Sequence, residues 1–212
     1  MTLVVDRFEL GPMATNCYVV RAARDARDAV VVDPGDDAAT LRLELARAGA
    51  ACTAILVTHT HFDHIGAVAN LAEGLEVPVY APAGEVAVLA RADEIYRPYG
   101  VSIRPWPTAL AVAAGDRLDL AGIEWETIAA PGHTVDHVAY AAGGALFSGD
   151  VVFAGGVGRV DLPGGDWDRL LASIGALVER FPPETPVYPG HGPPTTLGAE
   201  LERNPFLAGL RA

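Results

Sequence analysis

The chain has 212 residues, half of them apolar, and a formal charge of −12 from 15 basic and 27 acidic side chains. That length accommodates one large domain or two small ones, and no apolar run reaches the roughly 18 residues of a membrane span. Every basic residue is arginine and no basic patch suited to a phosphate backbone is seen, so the acidic chain argues against a nucleic-acid partner, and no membrane partner is expected. The segment Met1-Thr2-Leu3-Val4-Val5-Asp6-Arg7 lacks the basic and long apolar regions of a secretory signal, which predicts a cytoplasmic protein. Cys17 and Cys52 lie far apart without a CxxC spacing and are read as two buried thiols, not ligands.

Taken in order, residues 3 to 10 and 16 to 22 are β-rich around a Gly11-Pro12 turn and predict an antiparallel pair. Residues 29 to 32 form a third strand ended by Asp33-Pro34-Gly35. Residues 36 to 49 predict a helix with Leu41, Leu45 and Ala48 on one face and Gly49 at its C-terminal end. A strand at 53 to 58 runs into a histidine-rich stretch, from which a helix beginning near Ile65 reaches Gly74. A strand at 78 to 80 and a helix at 84 to 96 follow, then a proline-bearing crossover to residue 107. Strands at 117 to 120, 123 to 129, 136 to 141 and 145 to 148 come next. A glycine-rich loop at 154 to 165, a helix from Asp166 to Phe181, a strand at 186 to 188 and a short helical end from Leu197 complete the chain. Strands and helices mixed in this order predict one domain over 1–212 with two sheets covered by helices.

The chemistry concentrates in Thr58-His59-Thr60-His61-Phe62-Asp63-His64, where three of the six histidines fall within six consecutive positions. Elsewhere a strand, a sharp turn and a ligand-type residue recur, in Pro131-Gly132-His133, Ser148-Gly149-Asp150 and Pro189-Gly190-His191. Strand ends with tight turns are where a rigid scaffold presents side chains to a cleft. His59, His61, Asp63, His64, His133, Asp150 and His191 make seven candidate ligands, too many for one tetrahedral zinc and suited to two divalent ions. Two such ions held about 3.5–4 Å apart require an anionic bridge. Asp150 is the natural carboxylate for it, and Asp63 is placed to bind one ion and accept a proton. His137 lies four residues beyond His133 across a β-like sequence, so it is read as a supporting group.

These residues resemble the ligand set of the metallo-β-lactamase superfamily of hydrolases. The resemblance implies an αββα sandwich with a dinuclear site at one edge of the sheets. By it His59, His61 and His133 hold the first ion, Asp63, His64 and His191 the second, and Asp150 bridges. Zinc is the first expectation, with iron or manganese accepted by the same donors. The segments from Gly11 to Tyr18, Gly158 to Asp166, Tyr188 to Pro193 and Asn204 to Leu207 are similar to the small glyoxalase II-like thioesterases. That group implies hydrolysis of S-lactoylglutathione or a similar small thioester. Only 21 residues follow His191, too few for the C-terminal helical domain that supplies much of the glutathione pocket in longer members. Another thiol or a simpler thioester is therefore also expected.

Arg159, in the glycine-rich loop, is the candidate for an anionic substrate, with bracing of the loop through Asp161 as its alternative. A mononuclear-iron persulfide dioxygenase of the same fold is the competing enzyme class, similar around Gly158-Arg159-Val160-Asp161. A lactonase, a β-lactamase-type hydrolase and a non-catalytic metal-binding protein follow behind it; a closed structural site would call for four ligands.

Overall fold

The structure, a computed structural model, describes residues 3–211. The first sheet opens with the antiparallel strands β1 (Val4–Leu10), β2 (Thr15–Arg21) and β3 (Asp28–Val32). Helix α1 (Ala38–Arg47) then crosses over to β4 (Ala51–Leu56), parallel to β3. Helices α2 (Phe62–Ile65) and α3 (Val68–Leu75) lead to β5 (Val79–Pro82). Helices α4 (Val86–Ala90) and α5 (Ala92–Tyr96) and a 3-10 turn at Arg97–Tyr99 precede the edge strand β6 (Leu110–Val112). The second sheet begins as an antiparallel run of β7 (Arg117–Leu120), β8 (Ile123–Ala129), β9 (Val138–Ala142) and β10 (Ala145–Gly149). A small ribbon of β11 (Val152–Phe153) and β12 (Gly156–Val157) follows, then helix α6 (Trp167–Arg180). Strand β13 (Pro186–Pro189) returns parallel to β10 and pairs with β14 (Thr195–Thr196); α7 (Leu197–Arg203) and a 3-10 segment at Pro205–Leu210 end the described chain.

Side-chain alternation explains why these strands stack into four layers. Val19, Val31 and Ile55 point to the helix side, where they meet Leu41, Leu45 and Leu71. Their sequence neighbours Tyr18, Val20, Val30, Val32 and Leu56 point the other way, onto Trp125, Tyr140 and Phe147 of the second sheet. Leu146 and Val187 face outward onto Leu170, Ile174 and Leu177 of α6. With both faces covered, the centres of β2, β3 and β4 (residues 17–20, 29–32 and 54–56) read as continuous apolar runs rather than alternating ones. Each large apolar side chain buried completely, Phe147 and Leu56 among them, contributes about 1.5–3 kcal/mol. The αββα sandwich expected from the sequence is the observed fold.

Two expectations are corrected. The helix placed over 84 to 96 is broken at Arg91, whose backbone (φ −121°, ψ 20°) ends α4 and begins α5. The helix placed from Ile65 starts instead at Phe62 and is interrupted at Gly66 and Ala67. There the Ala67 N–H donates to the Pro34 carbonyl, and a side chain at Gly66 would collide with the Gly35 carbonyl. The interruption lets the loops after β3 and β4 touch. Strands β6, β11, β12 and β14, of two or three residues each, have too few positions to show a period.

Candidate metal centre

The loops that follow β3, β4, β8, β10 and β13 converge at one edge of the sandwich. Backbone hydrogen bonds tie the two sheets together there. Asn16 N–H donates to Gly190 O (2.7 Å) and Val138 N–H to Thr58 O (3.0 Å), while Gly190 N–H to Gly149 O (2.8 Å) joins the ends of β13 and β10 within the second sheet. Asn16 Nδ2 and Tyr18 Oη both donate to the Pro189 carbonyl, at 2.8 and 2.6 Å, pinning the loop that carries His191. Gly190 has to be glycine because a Cβ there would run into Asp150 Oδ1 and His64 Cε1.

All seven expected ligands meet at this edge. Ligand-type atoms of His59, His61 and His133 lie within 4.8 Å of one another, as do those of Asp63, His64 and His191, and those of His59, His64 and Asp150. Asp150 reaches both three-residue sets. Its Oδ1 is 3.3 Å from His64 Nε2, and its Oδ2 is 3.5 Å from both His133 Nε2 and His191 Nε2. Asp63 Oδ2 stands 3.3 Å from His191 Nε2 and accepts a hydrogen bond from Thr15 Oγ1 at 2.7 Å. His59, His64 and His133 are buried, whereas His191 and Asp63 keep 28% and 14% of their side chains exposed, so the cluster opens on that side.

The outer nitrogens explain why the inner ones converge. His133 Nδ1 donates to the Arg159 carbonyl at 2.7 Å, and His64 Nδ1 donates to Asp33 Oδ2 at 3.0 Å. His59 Nδ1 pairs with Thr58 Oγ1 at 3.1 Å, and that hydroxyl donates onward to Asp33 Oδ2 at 2.7 Å. Each outer bond occupies an Nδ1 and turns the Nε2 inward, where that of His133 meets His61 Nδ1 at 2.8 Å. His59 Nε2, His64 Nε2 and Asp150 Oδ1 are fully buried without a hydrogen-bond partner, the last two facing each other without the alignment for one. Buried polar atoms left open like this call for an ion. The residues fit a pair of divalent cations.

Charges follow from this crowding. Burial and the surrounding imidazoles push His59 well below the ordinary histidine value, and burial with His133 takes His61 down to about 4. Burial would raise Asp63, but His191, His64 and Thr15 outweigh it and lower it to about 2. Burial likewise works against charge on His191, yet the Asp150 and Asp63 carboxylates beside its Nε2 raise it to about 9. His64 is also raised, Asp150 and Asp33 overcoming its burial. In the metal-free protein a protonated His191 therefore partners the carboxylates. Its value lies above the ordinary 6.5, so its stabilisation is complete below about 6.5 and lost as the pH rises through about 9. The melting temperature of the metal-free protein is expected to fall across that window. Excess zinc takes the same nitrogen and should flatten the curve; a flat metal-free curve would contradict the assignment.

The sequence reading missed several supporting groups. Asp33 accepts from Thr58 N (2.7 Å), Thr58 Oγ1 and His64 Nδ1. Its backbone sits at φ 50°, a left-handed conformation that aspartate tolerates better than most residues. The signal available was the Asp33-Pro34-Gly35 turn after an apolar strand. His137 is buried, stacked on His59 at 4.7 Å, and accepts the Asp150 N–H at 3.1 Å, which matches the supporting role read for it. Arg159 places its guanidinium on Asp161, two contacts of 2.7 Å, and its carbonyl on His133. Cys17 and Cys52 are buried thiols, as expected.

A family model described as the metallo-beta-lactamase superfamily matches residues 10–191. The chain belongs to the metallo-beta-lactamase superfamily. Among curated relatives in this superfamily, the probable metallo-hydrolase YqgX of Bacillus subtilis is 34% identical over 96% of this chain and 97% of its own length. Hydroxyacylglutathione hydrolase GloC of Haemophilus influenzae is 31% identical over 86% of this chain and 89% of its own. Among solved structures, the B3 metallo-beta-lactamase BLEG-1 superposes with TM-score 0.89 at 38% identity, over 97% of this chain and 100% of the other. TTHA1623, in a di-iron-bound form, does so with 0.85 at 42% identity, covering 96% and 100%. ETHE1 from Myxococcus xanthus gives 0.78 at 27% identity, covering 97% and 85%. This superfamily member is thus a hydrolase-fold chain with a metal-binding His/Asp cluster. Among the described residues no helix is long and apolar enough to cross a membrane.

Proposed function

We propose that the chain is a dinuclear metal-dependent thioesterase acting on S-lactoylglutathione or a similar small thioester. We read the whole chain as one domain working in the cytoplasm. The observation that carries this is Asp150, whose two oxygens reach imidazole nitrogens of both three-residue sets. His59, His61 and His133 would hold one ion, and Asp63, His64 and His191 the other. The name of the Haemophilus relative supports the substrate class, and the di-iron form of TTHA1623 supports two ions. Zinc remains our first choice, with iron or manganese accepted by the same His/Asp donors.

When bound, such a pair supplies a water activated near pH 7 and an electrophile for the acyl oxygen. The chain contributes placement and proton handling. Asp63, kept ionised by its neighbours and held by Thr15, is positioned at the open side to receive the proton of the attacking water. Arg159 is our candidate for a substrate anion. Its pair with Asp161 is solvent-exposed and screened by water, and so is readily exchanged for a substrate carboxylate.

The likeness to ETHE1 supports a second reading, a mononuclear-iron persulfide dioxygenase. Parallel assays on the purified protein separate the two. Hydrolysis of S-lactoylglutathione with two metals per chain is expected, whereas oxygen uptake with glutathione persulfide and one iron would sink the thioesterase reading. Asp63→Ala should lose metal or most of its turnover; full metal with wild-type turnover refutes its role.

A further inference from the structure

Glu85, which ends the loop after β5, is buried yet lies outside the seven-ligand cluster. Its Oε2 accepts hydrogen bonds from Thr60 N at 2.6 Å and from Thr60 Oγ1 at 2.7 Å. Its other oxygen, Oε1, accepts from the hydroxyl of Thr134. Thr60 is the residue between His59 and His61, and Thr134 follows His133 directly. One carboxylate therefore spans the two loops that carry the three-histidine set, 25 and 49 residues away in sequence. Tyr96 Oη completes the hold by donating to the Thr60 carbonyl at 2.6 Å.

The second set is held differently. His64 rests on Asp33, while Asp63 and His191 are reached through Thr15, Asn16 and Tyr18. Glu85 makes no hydrogen bond or ion pair with any of these groups. Nothing about its hydrogen bonds serves a helix end, since it makes no side-chain cap to α4. A buried carboxylate is costly to keep unless its acceptors are used, and all of the protein donors recorded for it come from the two ligand loops.

We propose that Glu85 is a positioning residue selective for the His59–His61–His133 ion, strapping the two loops so that three imidazoles present one site. The inference rests on the metal assignment made above. Outer partners of metal ligands are worth roughly 10–100-fold in affinity. Glu85→Gln keeps the shape but turns one acceptor into a donor facing a donor, so it should cost the first ion that much and leave the second ion unaffected.

The test is cobalt titration of the purified full chain in two backgrounds. His191→Ala retains the three-histidine set, and His61→Ala retains the Asp63–His64–His191 set. Adding Glu85→Gln should weaken cobalt binding roughly 10–100-fold and shift the visible d–d band in the first background only. Thr134→Val should reproduce part of that loss, and Thr134→Ser, which keeps the hydroxyl, should restore wild-type affinity. The Thr134 pair also answers the question if Glu85→Gln does not fold. Unchanged affinity in the first background, or equal weakening in both, overturns the strap. Failure of either parent background to bind cobalt while wild type also binds none overturns the metal assignment instead.

Discussion

Asp150→Asn is expected to cost kcat/KM at least ~100-fold, the upper end of what even an outer partner of a ligand contributes, and to lower the metal content below two per chain. The substitution barely changes shape, so the effect isolates charge and donor type. Asp150 is buried, with imidazole nitrogens of His64, His133 and His191 at 3.3 to 3.5 Å, and these hold its carboxyl well below the usual range against the penalty of burial. An amide supplies one acceptor in place of two anionic oxygens, and it would leave the two proposed cations without a shared counter-charge. Metal analysis beside steady-state kinetics reads both effects. Wild-type turnover with two ions retained would remove Asp150 from the bridging place.

Asp33→Ala is expected to be the most destabilising single change near the site, although Asp33 touches no metal position. Its carboxylate is 3% exposed and serves Thr58 N, Thr58 Oγ1 and His64 Nδ1. Removing one partner of a buried pair of this kind costs roughly 3–5 kcal/mol. For a chain of this length that corresponds to a fall of about 10 °C in the melting temperature of the metal-free protein. His59, held through Thr58, and His64 would both lose their orientation, so zinc affinity should drop as well. A melting temperature within a degree or two of wild type would show that Thr58 and His64 are fixed by something other than Asp33.

What could be read from the sequence was the part encoded by residue type and local spacing. The run from His59 to His64, and the Pro-Gly-His and Ser-Gly-Asp turns, announce themselves because ligand-type side chains recur there directly after apolar strands. Two sheets covered by helices followed from the strand and helix order, the αββα sandwich from the family resemblance, and β2, β3 and β4 were visible because burial on both faces makes their central residues apolar. Asp33, Thr15 and Glu85 were not found, since each acts through a contact 25 or more residues away and looks locally like a turn residue or a helix flank. The break at Arg91 escaped notice because nothing in Val86 to Tyr96 is a helix breaker; only the backbone records it. Arg159 is ambiguous in sequence for a physical reason: the exposed pair with Asp161 that braces it is weak enough for a substrate to displace.

In the proposed centre seven residues hold two ions with Asp150 between them. Anomalous diffraction from crystals of the metal-loaded protein tests it most directly. Two peaks per chain are predicted, one against His59, His61 and His133 and one against Asp63, His64 and His191, both in contact with Asp150. A single peak, or two peaks without Asp150 between them, would contradict the account.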